Sequence, residues 1–386
     1  MYKLGVIGLG TRIHKGVLPA LAGYSSEFCI TAAADPDPEK VRNNAKDNPV
    51  GYKENFPVYS DADEMLKNED LDGIIVGTRC SLHTPLAIKA MERNVPIYLE
   101  KPVCISMEQI EELNAARKKY NPKVVVSFPL RYSRLAEQVK EMIDSDLIGE
   151  VVQVNAFNDV PYGRVYYHDW YRDYNETGGL WLQKATHDFD YLNYILGGRA
   201  TEIFARSTHK IFKGDMPAGL KCADCDKYRT CPESPYTVNK VNLDPVNLPE
   251  NSYCCFAKDS VHEDTGMALQ KRDNGAIVSY EQNFFARMQA GRRGARFSGY
   301  KGTIEFDWVQ GNIKYWPHTV ERADVYQFPK LGGHFGGDEK LAELYYKMIS
   351  GETEKSFLEE GIVSALQCLC ARESCETGKN IIVPEL

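Results

Sequence analysis

Over the first 120 residues of this 386-residue chain, short β-rich runs alternate with stretches of helical periodicity, and that alternation restricts the fold more than any other feature. The runs at 3–7, 30–34, 73–77 and 95–99 read as strands because they are short, apolar and bounded by turn residues. Strands separated by helices cannot be joined as hairpins, so the pattern predicts a parallel, doubly wound α/β sheet. Ser106 with Gln109 three residues later opens a helix to about Tyr120, and Asn121 with Pro122 stops it.

Beyond Pro122 the pattern changes. A new run starts at Lys123, a helix is expected over 133–144, a strand over 150–157 and a helix over 180–196. Strand candidates with two-fold alternation follow at 200–207, 265–271, 276–285, 296–298 and 303–307. Strands gathered with few helices between them predict an α+β domain with a large, mainly antiparallel open sheet. The expected division is therefore a doubly wound domain over 1–122 and an α+β domain over 123–386. A Cys-rich insertion of little periodicity is expected at 208–264, and two helices close the chain at 338–350 and 357–376, with Gly378 as the C′ residue.

The formal net charge of -8 offers no counter-charge to nucleic acid or an anionic membrane, which leaves a small molecule as the expected partner. The opening residues run straight into a strand without an apolar signal stretch, and no apolar run reaches spanning length, so a soluble, cytoplasmic protein is expected. Of the 11 cysteines, Cys29, Cys80, Cys104, Cys368 and Cys370 lie in apolar surroundings where thiols act as small hydrophobes.

Gly8 and Gly10, at the turn from the first strand into a helix that starts near Thr11 and Arg12, leave backbone amides free to approach a pyrophosphate. The third position of the glycine fingerprint is Ile13, which predicts a looser helix-to-strand contact there. Asp35 ends the second strand, where a carboxylate bonds ribose hydroxyls, and favours NAD. Asp37 adds repulsion against a 2′-phosphate, while Arg12 offsets part of it if its side chain reaches the adenosine end, so NADP stays compatible. Glu100, Lys101 and Pro102 follow the fourth strand at the crevice where open α/β sheets bind ligands, which makes Lys101 an acid/base candidate.

These residues, with Thr78, His83, Gly178, Gly179 and the run Thr186, His187, Asp188, Phe189, Asp190, resemble the Gfo/Idh/MocA family of glucose-fructose oxidoreductases and inositol dehydrogenases over nearly the whole chain. The resemblance implies a Rossmann domain, a C-terminal domain whose open sheet forms oligomer contacts, and hydride transfer between NAD(P) and a sugar or polyol carbinol. It implies catalytic roles for Lys101 and His187 and cofactor contacts at Thr78, His83 and Glu100. One helical turn before His187, where dehydrogenases of the family usually have aspartate, this chain has Gln183, followed by Lys184. A neutral amide cannot stabilise an imidazolium by charge.

Oxidising a secondary alcohol requires a base at the hydroxyl. His187 is assigned that role and Lys101 the polarising one, the reverse division meeting the same requirement. Gln183, Lys184, Arg131 and the loop carrying Tyr167, Trp170 and Arg172 are the candidate substrate wall, with inter-domain packing as the plain alternative. Cys222, Cys225, Cys231 and Cys254 have the spacing of a structural zinc or iron-sulfur site, with unliganded thiols as the competing reading. A second functional reading is an NAD-retaining glycosidase or lyase that oxidises its substrate transiently.

Overall fold

The computed structural model describes residues 1–386 apart from 46–49, 54, 239–251 and 330–332. The first sheet contains β1 (Tyr2–Ile7), β2 (Phe28–Ala34), β3 (Gly51–Tyr52), β4 (Val58–Tyr59), β5 (Gly73–Val76), β6 (Ile97–Leu99) and β7 (Val124–Val126). All its pairings are parallel, in the order β3-β2-β1-β5-β6-β7, with β4 also on β2. The strand order reverses between β1 and β5, so the loops after these two strands open a crevice at the carboxyl edge of the sheet.

One boundary differs from the sequence expectation. The run after Pro122 does not begin the second domain: Val124, Val125 and Val126 pair with Ile97, Tyr98 and Leu99 as the last strand of the first sheet. All three valines are buried, as a strand covered on both faces requires. The helix Met107–Tyr120 is capped as expected, with Ser106 Oγ accepting from the Gln109 amide at 3.3 Å and Asn121 in the left-handed region. Gln109 completes the cap on Ile105 N rather than on Ser106.

The second sheet has nine strands: β8 (Val151–Asp159), β9 (Ala200–Thr208), β10 (Thr265–Arg272), β11 (Ile277–Asn283), β12 (Arg292–Gly299), β13 (Gly302–Asp307), β14 (Asn312–Pro317), β15 (Asp324–Gln327) and β16 (Ile381–Ile382). Their order is β15-β14-β13-β12-β8-β11-β10-β9-β16, antiparallel except for the β8–β11 pair. Along β10, Gly266, Ala268, Gln270 and Arg272 point to the core while Met267, Leu269 and Lys271 point out. The inner face packs on the helices Thr186–Leu196 and Leu358–Thr377. The outer face leaves Val152, Phe204, Met267, Leu269 and Ile277 exposed.

The chain's end returns to its beginning. Leu341, Tyr345 and Met348 of the helix Gly337–Ile349 pack with Leu4, Val6, Ile75, Tyr98 and Val125 of the first sheet. Tyr345 Oη donates to the Ile74 carbonyl at 3.0 Å. The following helix lies between the two sheets: Ser364 Oγ donates to the Thr186 carbonyl at 2.6 Å, and Arg372 donates to the Gly178 carbonyl at 2.9 Å. Gly378 ends that helix in the left-handed region. Among the described residues no helix is long and apolar enough to cross a membrane.

Candidate active site

The glycine turn is built for close approach from one side. Gly8 has φ +82°, and a Cβ there would come within 2.8 Å of the Thr78 amide nitrogen. A Cβ on Gly10 would meet nothing nearer than the Gly77 carbonyl at 3.9 Å, so the turn is open where a phosphate would lie. Asp35 Oδ2 accepts from Leu9 N at 2.9 Å and Oδ1 from Asp37 N at 3.0 Å, which fixes the carboxylate between the turn and the end of β2. Thr11 is exposed at the start of the helix. These residues suit the two ends of a dinucleotide, the amides for the pyrophosphate and Asp35 for ribose hydroxyls.

Ile13 corrects an expectation. The helix and the sheet approach closely despite the missing third glycine, because Gly77, just past the end of β5, provides the room: a Cβ there would sit 2.2 Å from Ile13 Cγ1. Ile13 is fully buried in that contact, so its side chain is packing rather than cofactor wall. Arg12 does not reach the adenosine end either. Its guanidinium donates to Glu100 Oε1 at 3.1 Å, Ser127 Oγ at 3.3 Å and Asp338 Oδ1 at 2.7 Å. Burial would raise the Asp338 carboxyl, but His334 and Arg12 pull it down to about 2.

His83 is likewise internal, its Nδ1 2.8 Å from the Pro102 carbonyl oxygen and its Nε2 3.2 Å from that of Thr78. It braces the turn that presents Lys101 against the turn that contacts Gly8. The Lys101–Pro102 peptide is cis.

Lys101 and the second domain meet at a distorted helix. Residues Trp181–Ala185 form a π-helical segment that runs into Thr186–Leu196. Such segments concentrate at functional sites because they re-aim groups that a regular turn would occupy. Lys101 Nζ donates to the Gln183 carbonyl at 3.1 Å, and Gln183 Nε2 donates to Cys80 Sγ at 2.9 Å. Burial, with the neighbouring Lys184 cation adding to it, brings the Lys101 amine down to about 8.

His187 packs edge-on to Phe128, with ring centroids 5.8 Å apart. Its Nδ1 is buried without a hydrogen-bond partner. Burial, then the charges of Lys101, Arg293 and Lys184, hold the imidazole well below its ordinary value, so it is neutral at neutral pH.

Three participants carried no individual role in the sequence reading. Tyr162 Oη lies 2.5 Å from Lys184 Nζ, and the Lys184 cation draws the phenol down. Asp188 is held by Arg293 Nε at 2.8 Å, Asn158 Nδ2 at 2.7 Å and Tyr280 Oη at 2.8 Å. Asp188 adjoins His187 in the motif and carried a local signal. Tyr162 opens the aromatic loop 162–174 that the sequence offers as a carbohydrate wall, whereas Arg293 had no signal because it reaches the site from a strand distant in the chain.

Most of the expected substrate wall is committed elsewhere. Arg131 forms a buried bidentate pair with Asp190. Tyr167 is fully buried against Phe212 with its hydroxyl on the Glu263 carbonyl at 2.7 Å. Arg172 is bidentate to Asp259 at 2.9 and 3.2 Å. Arg131 and Tyr167 are thus engaged inside the protein, while Arg172 keeps its Nε without a partner. Gln183 and Lys184 stay at the site. Trp170 stacks on Tyr171 at 3.9 Å and carries the Arg79 guanidinium 3.7 Å from its ring centre. A cleft of about 640 Å³ opens between Arg79, Trp170, Arg172, Tyr174, Tyr253 and Val261.

The insertion orders itself around a small core containing Tyr166, Tyr167, Phe212, Cys255 and Phe284; its part at 239–251 lies outside the described residues. The metal expectation for Cys222, Cys225, Cys231 and Cys254 finds no support. All four are free thiols, and among the described residues no group of three or more His, Cys, Asp or Glu side chains is placed to hold a metal ion. Cys222 Sγ faces the Tyr253 carbonyl at 4.0 Å and Cys225 Sγ faces Asp226 at 4.0 Å. Burial pushes the Cys222 thiol up to about 12, with Cys254, Cys231 and Cys225 adding to the effect.

A family model described as an oxidoreductase family with an NAD-binding Rossmann fold, Gfo/Idh/MocA, matches residues 2–128, and the Gfo/Idh/MocA C-terminal domain matches residues 136–305. The chain is 28% identical over 380 residues to the putative oxidoreductase YteT of Bacillus subtilis, covering 89% of this chain and 88% of that one. It is 25% identical over 214 residues to myo-inositol 2-dehydrogenase of Thermotoga maritima, covering 53% of this chain and 57% of that protein. Levoglucosan dehydrogenase, solved with NADH and levoglucosan, shares the fold with a TM-score of 0.77 at 17% identity over the full length of both chains.

Proposed function

The chain belongs to the Gfo/Idh/MocA oxidoreductases with an NAD-binding Rossmann domain, and from that premise we propose that it transfers a hydride between NAD and a secondary alcohol of a sugar, cyclic polyol or glycoside. The observation that carries the reading is the meeting of Lys101, from the edge of the first sheet, with the Gln183 carbonyl on the helix that presents His187. The chemistry supplied by bound NAD is hydride acceptance at its nicotinamide ring. The Gly8–Gly10 turn would hold its pyrophosphate and Asp35 its ribose.

The chain's own groups divide the remaining work. Lys101, brought down to about 8, is the better-matched base for a hydroxyl proton, because a catalytic base works best with a pKa near the operating pH. His187, held well below its ordinary value, serves as a neutral hydrogen-bonding group that orients the same hydroxyl. The sequence assignment of the two roles is thereby reversed. Arg12 neutralises Glu100 next to Lys101, so the lysine is not captured by its own neighbour.

The test is to incubate the purified protein with NAD and a panel of sugars, cyclic polyols and glycosides. Stoichiometric formation of NADH is the expected result. Aglycone release without net NADH would replace the dehydrogenase reading with the transient-oxidation one, and no reaction across the panel would remove both.

A further inference from the structure

Alcohol oxidation needs one base, yet this site gathers three basic side chains besides its histidine. The charges of Lys101, Arg293 and Lys184 all bear on His187. Lys101 Nζ has a backbone carbonyl as its hydrogen-bond acceptor, and Lys184 Nζ has a phenol. Asp188, the carboxylate on Arg293, already accepts from Arg293, Asn158 and Tyr280. Glu100 is taken by Arg12 and Ser127. Gln183, buried between Lys101 and Cys80, adds an amide and no charge. Arg293 Nη2 is buried without any partner.

Buried charge without a counter-charge is costly, and among the described residues no carboxylate accepts from Lys184 Nζ or from Arg293 Nη2. We infer that the substrate supplies one: it carries a carboxylate beside the reacting carbinol, held by Lys184 and Arg293, so the natural substrate is an acidic sugar such as a uronate or its glycoside. The inference rests on the redox reading of the same site and narrows its substrate class.

The charge count selects a carboxylate over a phosphate. At the carboxylate-binding pair itself, Asp188 offsets Arg293, which leaves the single charge of Lys184 to be matched. A carboxylate carries one charge, whereas a phosphate monoester approaches two at neutral pH. Tyr162 fits the same picture: its ring is half exposed while its hydroxyl lies on Lys184, so an arriving carboxylate shares that ammonium with a phenol already placed to donate to it. The Lys184 amine is lowered by burial, and a bound anion would draw it back up.

The experiment uses the full chain saturated with NADH and measures binding by calorimetry for matched probes: D-galacturonate against D-galactose, D-glucuronate against D-glucose, and galactose 6-phosphate. Turnover of each is followed separately. In at least one pair the acid should bind at least about tenfold tighter than its neutral twin, as a charge-assisted contact gives, and the gap should narrow with added salt. Lys184→Met should abolish the gap. Should that variant fail to fold, Lys184→Gln and the salt series on the unaltered protein give the same readout. Equal or tighter binding of the neutral twins, tighter binding of the phosphate, or no binding of either acid would overturn the inference. Acid-selective binding without any redox turnover would uphold it while removing the oxidoreductase reading of the site.

Discussion

The pKa of Lys101 is the quantity on which the proposed chemistry can be tested most directly. A lysine in water has an ordinary value of 10.5, and at pH 7 about one molecule in 3,000 is then neutral. At about 8, where burial holds Lys101, the neutral share is about one in ten, so the site multiplies the available base by about 300. Competitive trace acetylation across pH 6 to 11, read by mass spectrometry of the peptide containing residue 101, follows the neutral amine without needing a substrate. The labelling midpoint should fall near 8, with a free lysine derivative in the same sample as the internal standard. Once a turned-over alcohol is in hand, kcat/KM should rise about tenfold per pH unit below 8 and level off above it. Lys101→Met should lower it by about 10² to 10⁴. A midpoint near 10.5, or an acid limb at or below pH 6.5 that persists in Lys101→Met, would refute the assignment and return the base role to His187.

Gly8→Ala forces a Cβ within 2.8 Å of the Thr78 backbone at a positive φ, so it should lower both the melting temperature and the affinity for NADH by fluorescence titration. Gly10→Ala meets open space in the protein and should weaken NADH alone. Arg131→Met leaves Asp190 buried without its partner and should cost about 3–5 kcal/mol in chemical denaturation; a loss under 1 kcal/mol would show the pair to be dispensable. The exposed apolar residues on the outer face of the second sheet predict self-association, so light scattering should give a mass at least twice the 43.6 kDa of one chain, and Met267→Lys with Leu269→Lys should reduce it.

The first domain was legible because its signals are local. Alternating strands and helices, the Ser106 and Asn121 caps and the glycine turn each declare themselves within a few residues. Val124–Val126 was misplaced because the Asn121-Pro122 stop reads as a domain boundary, although three consecutive buried valines are the mark of a strand covered on both faces. Strand β14 was overlooked, yet Ile313 and Tyr315 point inward with the two-residue period that identified β10.

The site was legible only in part, and the reason is geometric. Lys101 and His187 sit in motifs that a linear reading can find. Arg131, Tyr167 and Arg172 read as free donors in the sequence because their partners, Asp190, the Glu263 carbonyl and Asp259, lie 59 to 96 residues away in the chain. Arg293 was hidden in the same way, 105 residues from Asp188. Types and spacing reveal which side chains have chemical capacity; only the folded arrangement reveals which of them are already spent.

The helix Gly337–Ile349 has a consequence for how the protein is made. It covers a face of the first sheet and supplies Asp338 to Arg12, yet it leaves the ribosome only after β8 to β15 of the second sheet have been synthesised. The nascent first domain must therefore wait with Leu4, Val6 and Ile75 uncovered, and its maturation is coupled to the synthesis of the second sheet rather than to its own emergence.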